Sequence, residues 1–286
     1  VANGCKLQAL TRSTSDRSRL SGFNIDWVEG ALEDVDSLRR LVRGTDAVVH
    51  CAGAVRGATQ AHFDRLNVDG VARLVRAVVE QHPLPRFLLI SSLAAREPGL
   101  SHHAGSKRRG ETVLADQAGN MPWVVLRPPA VYGPGDKETL PLWRWMARGF
   151  AFVLGSGKNR FSMLYVDDLA AAIQNCVLNE HLPKGVFELH DGYPEGYSWQ
   201  NVIDTVAHLK AKSVRSIHMP VTILRLLARL NLAVSWVFGY APMLTPGKIR
   251  EFRHPDWVCD NTAFTRETGW TPRVSLEEGL RRTLEL

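Results

Sequence analysis

The sequence predicts an α/β fold: a doubly wound parallel sheet covered by helices on both faces, followed by a smaller α-rich lobe. Two observations lead there. Three short apolar runs, 47–51 (AVVHC), 87–91 (FLLIS) and 123–127 (WVVLR), are bounded by turn residues and lack the alternation of a sheet with one wet face. Segments with helical spacing, 63–81 and 105–117, lie between them. Before these, 6–11 and 25–29 read as strands, and 35–42 as a helix with Asp34 as its cap candidate. After about residue 134 the pattern changes. Pro134-Gly135 and Gly155-Ser156-Gly157 punctuate irregular segments, and Tyr165-Val166-Asp167-Asp168 opens an Ala-rich helix through Cys176. Residues 186–190 read as a further strand, and Ser198 caps a helix carrying Trp199, Val202 and Val206. This divides the chain into a sheet domain over 1–186, with 134–165 shared with the substrate side, and a lobe over 187–286.

Composition narrows the class. The 286 residues are 45% hydrophobic and 22% charged, a globular balance that excludes disorder. The net charge of +6 is spread along the chain, which points to an Arg-rich solvated surface and away from nucleic acid. The four cysteines lie far apart with no CxxC, so neither a disulfide scaffold nor a zinc site is written in them; a reducing, cytoplasmic setting is expected.

Several segments together resemble the extended short-chain dehydrogenase/reductase family, the group that includes nucleotide-sugar epimerases and dehydratases. They are His50-Cys51-Ala52-Gly53, Asn67-Val68-Asp69-Gly70, Ser91-Ser92, Ser106-Lys107, the run from Arg127 through Tyr132 to Gly135, Tyr165-Val166-Asp167-Asp168, and Gly269-Trp270-Thr271-Pro272. The Arg-rich C-terminal lobe is further similar to the 3β-hydroxysteroid dehydrogenase-like and dihydroflavonol reductase-like members. The resemblance implies a Rossmann-like sheet, a nicotinamide cofactor and an NAD(P)-dependent oxidoreductase interconverting a secondary alcohol and a ketone. A nucleotide-sugar epimerase or dehydratase is the near alternative. A non-catalytic dinucleotide-binding or assembly protein on a decayed scaffold is the distant one.

By position, Lys107 is the family's cofactor-orienting lysine and Ser92 its substrate-oxygen serine. The catalytic tyrosine belongs four residues before the lysine, on the same helix face. His103 stands there. Imidazole can donate a proton near neutral pH, but it is shorter than phenol by about 2 Å, and proton transfer tolerates little misplacement. His103 is therefore either the donor or the mark of a lost one. His102 reads as a loop residue. The family's Gly-rich loop, T-G-x-x-G-x-x-G, is absent, and Val1-Ala2-Asn3-Gly4 reads as the end of the helix that follows such a loop. The expectation is a sequence truncated by about 25 residues, whose strand belongs between those at Lys6 and Ala47.

Arg12, where NAD-specific members carry a carboxylate, predicts NADP(H) over NAD(H). Ala31 replaces the adenine-contacting Asp and leaves adenine to rest near Leu32. Cys51, Ala52 and Gly53 allow close backbone approach, Asn67 follows in the next helix, and Pro128 and Val131 border the nicotinamide. Tyr132 reads equally as site or core, and Asp167-Asp168 as a helix cap. Residues 221–244 carry apolar side chains at helical spacing, with Arg225 and Arg229 on another face. They read either as a lid helix or as a peripheral membrane helix anchored by Trp236, Phe238 and Tyr240. The second reading implies a lipid-like substrate. The resemblance also carries the expectation of a homodimer through the helices at 63–81 and 105–117.

Overall fold

Strands whose side chains alternate between two covered faces set the architecture. The computed structural model describes residues 4–153, 157, 159–179 and 183–285. The expected helix end at Val1-Ala2-Asn3 and the Gly155-Ser156 turn lie outside them. The first half runs β1 (Leu7–Thr11), β2 (Ile25–Glu29), α1 (Val35–Val42), β3 (Ala47–His50), α2 (Gln60–Asn67), α3 (Asp69–Val79), β4 (Arg86–Ile90), α4 (His102–Gln117) and β5 (Trp123–Arg127). The middle holds β6 (Ala130–Tyr132), α5 (Leu140–Ala147), β7 (Phe150–Val153), β8 (Arg160–Phe161), β9 (Met163–Tyr165), α6 (Val166–Leu178) and β10 (Gly185–Glu188). The remainder is β11 (Tyr197–Ser198), α7 (Trp199–Lys210), β12 (Arg215–His218), α8 (Val221–Phe238), α9 (Pro246–Arg253), β13 (Asp256–Trp257), α10 (Thr262–Thr268) and α11 (Leu276–Thr283).

The main sheet has the order β3-β4-β5-β10, all parallel. In β4 and β5, Phe87, Leu89, Trp123 and Val125 enter the core under α1, α3 and α4. Leu88, Val124 and Leu126 enter the opposite core with Ala172 and Cys176 of α6 and Phe264 of α10. Period two on a doubly covered sheet thus explains why these strands read as unbroken apolar runs. β1 and β2 form a separate parallel pair. Among the described residues no ladder joins β1 to β3, and Leu7 and Val49 on those strands are exposed.

Three expectations are corrected and one open alternative is decided. The single helix at 63–81 is two helices, broken at Val68 (φ −117°, ψ −64°). α4 crosses at this break: a Cβ on Gly110 would stand 2.2 Å from the Asn67 carbonyl oxygen, so the approach requires glycine. The domain boundary at 186/187 runs through β10, which pairs with β5 in the main sheet. Asp168 does not cap α6; its carboxylate accepts the backbone N–H groups of Arg273 and Val274, both at 3.0 Å, and latches the C-terminal segment. Tyr132 is core, packed edge-on against Trp143 and Tyr165. Around it Met146, Val202, Val206, Leu276 and Leu280 form the second lobe's own core.

Candidate active site

A parallel sheet brings the C-terminal ends of its strands to one edge, and the crevice there is where the fold takes ligands. β3 delivers the exposed loop Cys51-Ala52-Gly53, β4 delivers Ser91 and Ser92, and β5 delivers Pro128. Pro128 is buried, and its carbonyl accepts the N–H of Leu93 at 2.9 Å. Val131 follows it, half-buried, in β6.

α4 is fixed against this edge by a buried ion pair. Arg127 forks onto Glu111 at 2.9 and 2.6 Å, and Ser91 donates to the same carboxylate at 2.5 Å. Each of Glu111 and Arg127 is less than a tenth exposed, so neither charge can be solvated without the other. One turn before Glu111, Lys107 donates to the Ile90 carbonyl at 3.1 Å. Burial lowers its pKa to about 8. Asn67 ties the same helix to the β3 loop. It accepts from the Ala54 N–H at 2.8 Å, donates to the Ala54 carbonyl at 3.0 Å, and donates to Ser106 Oγ at 2.8 Å. Its amide is therefore committed to protein partners, and it acts on the site by holding the loop. Gly53 lies in this cradle: a Cβ there would stand 2.7 Å from Asn67 Oδ1 and 3.2 Å from Lys107 Nζ.

His103 opens the other half of the site. α4 starts three residues before the expected position, with Ser101 as its cap, so His102 is the first helical residue rather than a loop residue. His103 is buried against Phe63 and lines a cavity of about 220 Å³ between the sheet domain and the second lobe. Across that cavity α9 supplies Glu251, whose Oε1 lies 3.7 Å from His103 Nδ1. Lys248 donates to Glu251 at 2.6 Å, and Ser101 Oγ donates to it as well. Burial opposes the charge on Glu251, yet His103 and Lys248 hold its pKa at about 2. Burial pushes the His103 pKa below its usual value; Glu251 pulls it up, and Lys248 and Lys107 add to the lowering.

The structure thus joins Gly53, Asn67 and Lys107 in one cluster, with Cys51 and Ala52 beside it. His103 shares α4 with Lys107, one turn earlier. Ser92 is half-buried and accepts the Ala94 N–H at 3.2 Å; among the described residues it makes no bond to His103 or Lys107. Arg12, Ala31 and Leu32 stand apart, at the C-terminal ends of β1 and β2. Arg12 is exposed, while Leu32 is packed in the core beside Gly70 and offers adenine no free side chain. Sequence reasoning missed Glu111 and Glu251. The first had a signal, four residues beyond Lys107 on the same face; the second had none, because only the packing of α9 brings it to His103.

The family model described as the NAD dependent epimerase/dehydratase family matches residues 1–187. The chain belongs to this family. Ceramide reductase of Caulobacter vibrioides is 33% identical over 263 residues, covering 92% of this chain and 80% of that protein. 2-Alkyl-3-oxoalkanoate reductase of Stenotrophomonas maltophilia is 24% identical, covering 96% and 90%. Among solved structures, UDP-glucose 4-epimerase of Thermotoga maritima superposes with a TM-score of 0.75 at 20% identity, covering 99% of this chain and 91% of that one. This kinship is with oxidoreductases and epimerases, and it makes the chain an enzyme of a family that binds a nicotinamide dinucleotide. Part of the site fits such a cofactor. Lys107 uses one of its three donors on Ile90 and has no other protein acceptor among the described residues. It sits beside an exposed loop whose glycine leaves room for close approach. No Gly-rich loop that would cradle the pyrophosphate occurs among the described residues.

Proposed function

We propose that this enzyme is an NADP(H)-dependent oxidoreductase interconverting a secondary alcohol and a ketone on a lipid-like substrate, with His103 as its proton donor and acceptor. The observation that carries the reading is the His103–Glu251 pair lining the cavity between the lobes. A position that had merely lost its tyrosine would gain nothing from a buried carboxylate held 3.7 Å from the imidazole. Glu251 faces Nδ1, which leaves Nε2 for the substrate oxygen, and its charge partly offsets the lowering of the His103 pKa by burial and the two lysines. Ser92 keeps hydrogen-bonding capacity for that same oxygen, and Lys107 holds the nicotinamide ribose. A bound nicotinamide would exchange hydride with the substrate carbon. In reduction, the carbonyl oxygen takes its proton from His103; in oxidation, neutral His103 takes it back.

Arg12 supports the choice of NADP(H). It is exposed at the end of β1, and no carboxylate stands between Leu10 and Ser13. The next acid along the chain, Asp16, accepts the Ser18 N–H at 2.9 Å and is engaged in its own turn. The lipid-like substrate draws on the names of the reductases above and on the apolar rim of the cavity, formed by Val55, Phe63, Leu232 and Met243.

The test is NADPH oxidation with a panel of long-chain aliphatic ketones. His103→Ala is expected to lose at least about a hundredfold in turnover while NADPH binding, followed by fluorescence titration, stays intact. Undiminished turnover in His103→Ala removes His103 from the chemistry. NADPH binding with no turnover in the parent protein or in His103→Tyr favours the non-catalytic reading.

A further inference from the structure

Helix α8 is apolar on the wrong side for a soluble lobe. It packs through one narrow stripe, Leu224, Ala228 and Ser235, onto Ile249 of α9 and its neighbours. At 3.6 residues per turn, Ile223, Leu226, Leu227, Leu230, Val234 and Val237 fall on a broad face turned away from that stripe. All six are exposed, Leu226 by 58% and Val237 by 78%. Arg225 and Arg229 lie between the buried stripe and the apolar face, together with Trp236 at the C-terminal end. No carboxylate pairs with either arginine among the described residues.

Charge says what covers this face. From residue 205 to 250 the chain carries seven Lys and Arg and no Asp or Glu. A second protein surface would have to bring the opposite charge to an apolar patch, whereas an anionic lipid surface presents both at once. The helix is long and apolar enough to cross a bilayer, about 27 Å for 18 residues. Its two ends argue against crossing. β12, just before it, is paired with β7, and the Pro242 carbonyl just after it accepts the Gly57 N–H at 3.1 Å. Both ends therefore belong to the same side.

We infer that α8 lies flat in the headgroup region of an anionic bilayer, apolar face down, with Arg225 and Arg229 at the level of the phosphates. The docked helix also borders the cavity, because Leu232 of α8 and Pro242 and Met243 just beyond it line the same cavity as His103. The docking surface stands on its own; delivery of substrate through it rests on the lipid-reductase reading.

The experiment is flotation of the purified protein with two kinds of vesicle, pure phosphatidylcholine and phosphatidylcholine with about one-third phosphatidylglycerol. Binding to the anionic vesicles is expected to be at least about tenfold tighter and to weaken with added salt. Leu226→Asp with Leu230→Asp should lower binding to both vesicles at least about tenfold, and Arg225→Glu with Arg229→Glu should abolish the preference for the anionic ones. These side chains are exposed, so unchanged thermal unfolding shows the variants to be folded. Failure to float with either vesicle overturns the inference. So does a dimer in sedimentation that the Leu226→Asp, Leu230→Asp protein loses, since a second copy then covers the face. His103→Ala separates the two claims: if it floats like the parent and no form of the protein turns over, the docking surface stands and the reductase reading falls.

Discussion

Helices α4 and α8 invert the usual relation between hydrophobicity and burial. α4 is a polar sequence, HHAGSKRRGETVLADQ, yet seven of its 16 residues are buried, among them His103, Ser106 and Glu111. α8 is rich in Leu, Val and aromatic residues, yet three of its 18 are buried. In α4 the fold supplies hydrogen-bond partners for two buried polar groups, Arg127 for Glu111 and Asn67 for Ser106, and sets Glu251 3.7 Å from the otherwise unpartnered Nδ1 of His103. In α8 the apolar surface has no such answer within the chain. The first helix is expensive to bury and is buried for the site; the second is cheap to bury and is left outside. Both departures from the average call for a partner, and we propose different ones: a cofactor with its substrate for α4 and a lipid surface for α8.

The contrast can be broken by experiment. Glu111→Ala should have the largest effect on stability, about 3–5 kcal/mol in denaturant unfolding, because it strands the Arg127 guanidinium in the interior. Leu114→Ala, deleting the one large apolar side chain buried on α4, should cost about 2–5 kcal/mol. A smaller loss at Glu111 than at Leu114 would mean that packing rather than the ion pair seats the helix.

The pH profile sharpens the chemical half. Burial holds His103 below the usual histidine value, so the imidazole proposed as proton donor is mostly neutral at pH 7. Each unit of acidification above its pKa raises the protonated fraction nearly tenfold, and reductive kcat is expected to follow. Lys107, with a pKa of about 8, loses charge above that pH, so cofactor affinity should fall as pH rises through 8. A reductive rate that climbs from pH 6 to pH 8 would contradict the first, and an NADPH affinity unchanged from pH 7 to pH 9 the second. The smallest effect is expected at Leu226→Ala on α8, within about 0.5 kcal/mol in unfolding, since the side chain touches no core. A loss of 2 kcal/mol or more there would mean that something in solution already covers α8.

Much of the fold was legible where local pattern suffices. β2, α1 and β5 lie at the expected residues, and Asp34 caps α1 by accepting the N–H groups of Asp36 and Ser37. The break at Val68 was not legible, because 63–81 keeps its apolar spacing across it and only the crossing of α4 at Gly110 shows why the chain turns. Asp168 illustrates the same limit: its partners lie on the segment at Arg273 and Val274, far along the chain.

Within the site, the family resemblance singled out Lys107 and His103, and helical spacing put the two on one face. The unbroken apolar runs of the strands, the polar character of α4 and the acid-free stretch around α8 are likewise properties of the sequence alone, since each depends on neighbours a few residues away. The tertiary structure decided what those features meet. It set Glu251 against His103, closed Gly53 onto Lys107 and Asn67, and turned the apolar face of α8 outward. Such contacts join positions far apart in the chain, and their energy comes from burial and pairing that exist only once the lobes have packed.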